Sequence, residues 1–236
     1  MSRNRRSIGG GASTRGTSIV LLLFIALASP GLARSQSPAT APQPDVPAIT
    51  YRRVFKGSSP EFVEIVVRQD GAAKADVRQL SDPASPQDFT VAAAIRGQIF
   101  DLARQLHNFQ GQDLDVHKRI AYLGEKTFRW ENGPEAYETK YNYTVDAKAT
   151  QLQKIFENLA QEQADLGTLE QELRYDRLGI SDALNRFEEH LSQHVLPEPA
   201  RFLPVLDRIA GDERVIESAR QRARSLAAQI RVAQGQ

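Results

Sequence analysis

Apolar residues recur at helical spacing through a polar stretch from about Asp146 to Arg177, where Leu152, Leu159, Leu166 and Leu173 lie seven apart. Ile155 and Leu169 fall at the intermediate positions of the same heptad register, and Phe156 widens the stripe. One long helix with an apolar seam is expected there. Gly179 closes it, and Ser181 caps a helix from Asp182 to about His194 that carries Leu184, Phe187 and Leu191. Pro197 and Pro199 break that helix, and Pro204 opens a short one with Val205, Leu206 and Ile209. The last helix, about Glu213 to Arg231, shows a second seam in Ile216, Ala219, Ala223, Leu226 and Ile230.

The first part of the chain alternates with period two instead. Tyr51 to Lys56 and Phe62 to Gln69 read as strands around a turn at Gly57-Ser58-Ser59-Pro60. Parity fixes the next hairpin. Val63, Ile65 and Val67 share one face, and a three-residue Gln69-Asp70-Gly71 loop sets them opposite Val77, Ala75 and Ala73. A two-residue loop would set Val67 opposite Lys74. Ser85, Pro86 and Asp88 resemble a capped helix start, followed by Ala92, Ile95, Ile99, Leu102 and Leu106 on one face, with an end around Asn108 to Gly111. A second hairpin joins Lys126–Glu131 to Tyr137–Val145 across Asn132-Gly133-Pro134-Glu135, which sets Trp130 opposite Tyr137 and Phe128 opposite Thr139. Ile120 and Tyr122 continue the Phe128 face if that strand begins early. The fold class expected is α+β: two β-hairpin regions with an intervening helix forming a small antiparallel sheet, then a helical C-terminal half.

Seam size and charge say how the helices meet. The leucine helix offers large residues, while the last helix offers Ala219, Ala223 and Ala227 between larger ones. Asp146 to Glu189 holds ten acids and five bases, against three acids and five arginines in Asp212 to Arg231. Antiparallel packing of these two helices within one chain is expected. A homodimer through the leucine-rich helix is the alternative, weakened by Glu162 and Asp176 at seam positions and by Gly167 inside the helix.

The N-terminus changes the charge picture. Arg3, Arg5, Arg6 and Arg15 precede a ten-residue apolar run, Ile19 to Ala28, that Pro30 ends. That is the layout of a signal peptide over residues 1–35, cut near Ser35, and the run is too short for a spanning helix. General secretion to a periplasmic or extracellular location is expected, with no stable membrane span after cleavage. Residues 36–48, with Pro38, Pro42, Pro44 and Pro47, form an extended spacer. Residues 49–145 then make the α+β region and 146–236 the helical region. The first 35 residues hold five of the 30 basic residues and no acid, so the remainder has 25 basic against 29 acidic residues, a charge of −4 where the whole chain has +1. A mildly acidic chain argues against nucleic acid as a partner. The seven-residue leucine repeat does not alter this, because no basic helix precedes it. With no cysteine, disulfides, thiol catalysis and thiolate metal sites are excluded.

Candidate chemistry is sparse. His190 and His194 lie four apart, a spacing that lets two imidazoles reach one metal ion, with Glu189 adjacent. They lack the H-E-x-x-H arrangement, and histidines at a helix C-terminus also complement its dipole. Trp130, Tyr137 and Tyr141 form an aromatic row suited to stacking a sugar or peptide, or to packing under a helix. The Asn142-Tyr143-Thr144 triplet meets the glycosylation pattern within an expected strand. No catalytic constellation and no cofactor motif is present in the sequence. The reading is a noncatalytic envelope or secreted protein-interaction module with an unknown protein partner. The alternatives are a metal-binding protein or metal-assisted hydrolase using the histidine pair, and a carbohydrate-binding module using the aromatic row.

Overall fold

The structure is a computed structural model that describes residues 46–235. The expected signal peptide, its cut near Ser35 and nearly all of the spacer lie outside the described residues. Six strands follow: β1 (Ala48–Val54), β2 (Phe62–Arg68), β3 (Ala72–Arg78), β4 (Gln87–Thr90), β5 (Glu125–Asn132) and β6 (Glu135–Tyr141). They form one antiparallel sheet in the order β4-β3-β2-β1-β5-β6. Five helices accompany it: α1 (Ala93–Gln105), α2 (Ala147–Tyr175), α3 (Ile180–Ser192), α4 (Leu203–Gly211) and α5 (Glu217–Gln234). The fold is α+β. The two expected hairpins are halves of a single sheet, joined because β1 pairs with both β2 and β5.

Parity decides the hairpins as the alternation requires. Val67 lies opposite Ala73, Ile65 opposite Ala75 and Val63 opposite Val77, all buried or half-buried on one face. Gly71 takes the left-handed conformation (φ 97°), and a Cβ there would lie 2.6 Å from an Arg96 guanidinium nitrogen. Trp130 pairs with Tyr137 and Phe128 with Thr139.

Ser85, Pro86 and Asp88 do not start a helix. Gln87 to Thr90 pairs with Ala75 to Ala72 as the edge strand β4, and only Phe89 of the four is buried. A cap contributes about 1 kcal/mol; strand pairing together with burial of Phe89 outweighs it. Helix α1 therefore begins later, at Ala93, without a side-chain cap of its own. The Ala92 N–H, which precedes it, donates to Glu198 Oε1 at 2.8 Å. Residues 113–124 are irregular rather than an early part of β5. Tyr143 lies beyond the end of β6 and is exposed.

One sheet face carries the first core. Tyr51, Ile65, Val67 and Phe128 meet Ile99 and Leu102 of α1 and Leu152, Phe156 and Leu159 of α2. Phe109 stacks on Phe128 with centroids 5.3 Å apart. The opposite face is charged, with ion pairs such as Arg52–Glu64 at 2.6 Å and Arg129–Glu131 at 3.0 Å, each worth little in water.

The second core is helical. Leu169 and Leu173 of α2 join Ile180, Leu184 and Phe187 of α3, Leu206 and Ile209 of α4, and Ala219, Ala223, Leu226 and Ile230 of α5. The seam of α2 is thus buried within the chain, but not chiefly by α5, whose main neighbours are α4 and α3. Ile216 is 55% exposed and precedes α5, while Val215 takes the buried place.

Helix α2, 29 residues long and about 43 Å from end to end, passes from the first core into the second. Asp146 caps it, its Oδ1 accepting from the Lys148 and Ala149 N–H groups at 2.8 and 2.9 Å. At the crossing the seam turns polar. Glu162, fully buried, accepts from Glu198 N at 2.6 Å and from Arg201 Nη1 at 2.7 Å. One turn on, the buried Asp165 accepts from His190 Nδ1 at 2.6 Å. Glu162 in the heptad register is therefore a junction between cores, not a defect in a seam.

Candidate functional site

The residues singled out by sequence fall in two places. Tyr141 is buried in the sheet core and donates its hydroxyl to Gln153 Oε1 at 3.0 Å. Burial, then the nearby Glu157 charge, push the phenols of Tyr141 and Tyr51 above their ordinary range, so both remain donors. Trp130 and Tyr137 are half-buried at the sheet margin and stack on each other, centroids 5.7 Å apart and planes 12° from parallel. The row is the helix-covered face of β5 and β6, and the ring faces of this pair are turned to each other.

The two histidines part company. Helix α3 ends at Ser192, so His194 lies past it with φ 57°, and its Nδ1 donates to the Ser192 carbonyl at 2.9 Å. His190 stays on the helix, its Nδ1 hydrogen-bonded to Asp165 Oδ2. Among the described residues no group of three or more His, Asp or Glu side chains is arranged to hold a metal ion. Also among them, no helix is long and apolar enough to cross a membrane.

A different surface is built with more care. Ile120, Tyr122 and Leu123 stand exposed on the irregular segment before β5, and Tyr143 and Val145 stand exposed on the segment between β6 and α2. Val145 is 78% exposed. The two segments are laced together. Leu123 N donates to Asn142 Oδ1 at 2.6 Å and Asn142 Nδ2 donates to the Ala121 carbonyl at 3.0 Å. Asp115 Oδ1 accepts from the Asn142 and Tyr143 N–H groups at 3.3 and 3.2 Å, and Val116 N donates to the Tyr143 carbonyl at 3.1 Å.

Lys126 closes the arrangement from beneath. Its ammonium donates to the carbonyls of Asn142, Leu123 and Gly124 at 2.8, 3.1 and 3.3 Å. Burial lowers its pKa, and the three carbonyls supply its acceptors. Gly124 is required at this point: its φ is 88°, and a Cβ would lie 2.7 Å from Phe55 Cβ. Phe55 in turn meets the Tyr122 ring edge-on, centroids 6.0 Å apart.

Sequence reasoning named Ile120 and Tyr122 only as strand residues, and Asn142 only as part of a glycosylation pattern. The signal that was available is Lys126, a charged residue in line with Phe128 and Trp130 on the inward side of β5. A charge there calls for acceptors, and the nearest in sequence are the carbonyls of the loop before it. Comparison with known protein families gives no match, and neither does comparison with curated proteins.

Proposed function

We propose that the protein is a noncatalytic protein-interaction module acting after export, in the periplasm or outside the cell, through the surface formed by residues 120–123 and 143–145. The supporting observation is the contrast between order and exposure there. A loop normally meets water with polar groups, and apolar area left in water forgoes about 25 cal/mol per Å². Here five apolar side chains are held in solvent by a hydrogen-bonded frame anchored on a buried lysine. Such a surface is ready-made for a partner, because the entropy of ordering it is already spent in folding. Tyr122 and Tyr143 suit the role, since tyrosine is enriched at protein interfaces.

The test is site-specific photo-crosslinking in the producing cell. A crosslinker at position 122 is expected to capture one protein species, and one at Lys140, on the open sheet face, is not. The captured protein, once purified, should bind the native chain at least tenfold more tightly than a Leu123→Ser/Val145→Ser variant. Equal capture from both positions, or equal binding by the variant, would remove this surface from the proposal.

A further inference from the structure

At the far end of the helical half, the last turn of α2 faces the turn between α4 and α5 across an open cleft of about 800 Å³. Its lining is Leu173, Arg174, Arg177, Arg208, Gly211, Asp212, Glu213 and Arg214. Four guanidinium groups stand here against the carboxylates of Asp212 and Glu213, with Asp176 on the adjoining turn. We infer that this cleft is a binding site for a phosphate group carried by an organic molecule or a lipid.

Asp212 organises the cleft rather than neutralising it. Its Oδ1 accepts from Arg214 Nε at 2.8 Å and from the Arg214 N–H at 3.0 Å, and its Oδ2 accepts from Arg214 Nη2 at 2.8 Å and from Arg177 Nε at 3.3 Å. These bonds, the Arg214 side-chain pair first among them, hold its carboxyl well below the usual carboxylate range, so the orienting charge persists in mild acid. Two guanidinium groups are thereby fixed while Arg177 Nη1 and Nη2 and Arg214 Nη1 remain for a ligand. Arg174 and Arg208 take part in none of the ion pairs among the described residues, and both are exposed. Asp176, on the α2–α3 turn, accepts from the Leu178 N–H at 3.1 Å, a bond that does not cancel its charge.

The C-terminal ends of α2 and α4 both point here, each equivalent to about half a negative charge; together with Asp176 they offset the excess of guanidinium groups, so a ligand is held by the free guanidinium N–H groups rather than by net charge. Several planar forks around one space match a group with three terminal oxygens better than a monocarboxylate, which engages a single fork. The cleft is also larger than a bare phosphate needs, so the rest of an organic phosphate or a lipid headgroup has room. Tyr175 and Leu178 stand beside it, 75% and 86% exposed, as apolar flanks.

Calorimetric titration with pyrophosphate and co-sedimentation with phosphatidic acid vesicles, against phosphatidylcholine vesicles, test the assignment on the purified protein. Pyrophosphate binding without vesicle retention supports a soluble phosphate. Retention on phosphatidic acid that pyrophosphate competes away supports a lipid headgroup. In either case Arg174→Gln and Arg208→Gln, both at exposed positions, are expected to weaken binding about tenfold, which corresponds to loss of one charge-assisted contact. Arg222→Gln, which loses only its pairing with Glu188, should stay within about twofold. Asp212→Asn removes a negative charge, so a purely electrostatic cleft would bind more tightly, whereas an oriented one binds more weakly; tighter binding overturns the orienting role. Absence of binding to both probes, or binding insensitive to Arg174→Gln and Arg208→Gln, overturns the site.

Discussion

Replacing Glu162 by alanine tests whether the two cores are coupled through the polar crossing of α2. Glu162 is 0% exposed and is the acceptor for both Glu198 N and Arg201 Nη1. Alanine leaves the half-buried Arg201 guanidinium and the Glu198 N–H without that acceptor, a loss of about 3–5 kcal/mol at about 1.5–3 kcal/mol for each hydrogen bond to a charged group. For a chain of this size that is about 6–20 °C in Tm. The loss falls at the boundary, so it should also separate the two melts. Trp130 is the only tryptophan and borders the sheet core, so its fluorescence follows the first core, while circular dichroism at 222 nm follows mainly the helices. The two curves should coincide in the native chain and diverge in Glu162→Ala. Replacing both partners, as Glu162→Met with Arg201→Met, should recover most of the loss, because no buried charge is left behind. Acid gives a second handle. Burial, outweighing Arg201, raises the Glu162 carboxyl above its unfolded value of 4.5, so the folded chain takes up this proton at higher pH than the unfolded chain. Its contribution is full below that unfolded value and is lost as pH rises through the raised folded value. Lowering the pH from 7 through this window should therefore widen the stability advantage of the native chain over Glu162→Gln. Coincident melts in Glu162→Ala, or an advantage that narrows on acidification, would refute the reasoning.

Three further outcomes follow from particular side chains. Arg53 faces the helix-covered side of β1 with its Nε buried and unpartnered, and its one hydrogen bond is a long 3.4 Å contact to the Pro60 carbonyl; Arg53→Met should raise stability by about 1 kcal/mol, read from urea midpoints. Gly124→Ala must accommodate a Cβ against Phe55 at positive φ and should cost about 1–3 kcal/mol, with faster hydrogen exchange at residues 120–124 as the local signature. His190→Ala leaves the buried Asp165 without its imidazole donor and should cost about 1–3 kcal/mol, equally with and without a chelator. A loss seen only when metal is present would instead assign the histidine pair to a metal ion.

Local rules carried much of this fold. Side-chain parity alone placed the Gln69–Gly71 hairpin and the Trp130–Tyr137 pair in register, since a slip of one residue would have turned Val67 to water. The extent of α2 was legible because a polar, helix-forming stretch carries one long apolar stripe; its cap, Asp146, is visible only in the structure. The failures share a cause. Ser85, Pro86 and Asp88 satisfy every local condition for a helix start, but β3 offers an edge to pair with and Phe89 a place to bury, and neither is visible from positions 85–88. Charge and residue size paired α2 with α5, yet α3 and α4 lie between most of their surfaces. Glu162 looked like a fault in a seam because its partners are 36 and 39 residues away. The platform at residues 120–145 was missed for the same reason: its frame joins the Asn142 amide, the Asp115 carboxylate and the Lys126 ammonium to backbone groups, several of them 16 to 28 residues away, which leaves no spacing signature.

The long helix has a consequence for any attempt to divide the protein. A boundary drawn where the strands end, near residue 145, looks natural in the sequence, yet it detaches Leu152, Phe156 and Leu159 from the sheet they cover. A cut after Tyr175 would leave the remaining helices without Leu169 and Leu173. Neither half can be expressed alone with its interior intact, and α2 works as a tie-beam. A partner that leans on the residues just before it pushes on a rigid member whose other end borders the arginine cleft about 43 Å away, so the two surfaces are joined mechanically even though no residue belongs to both.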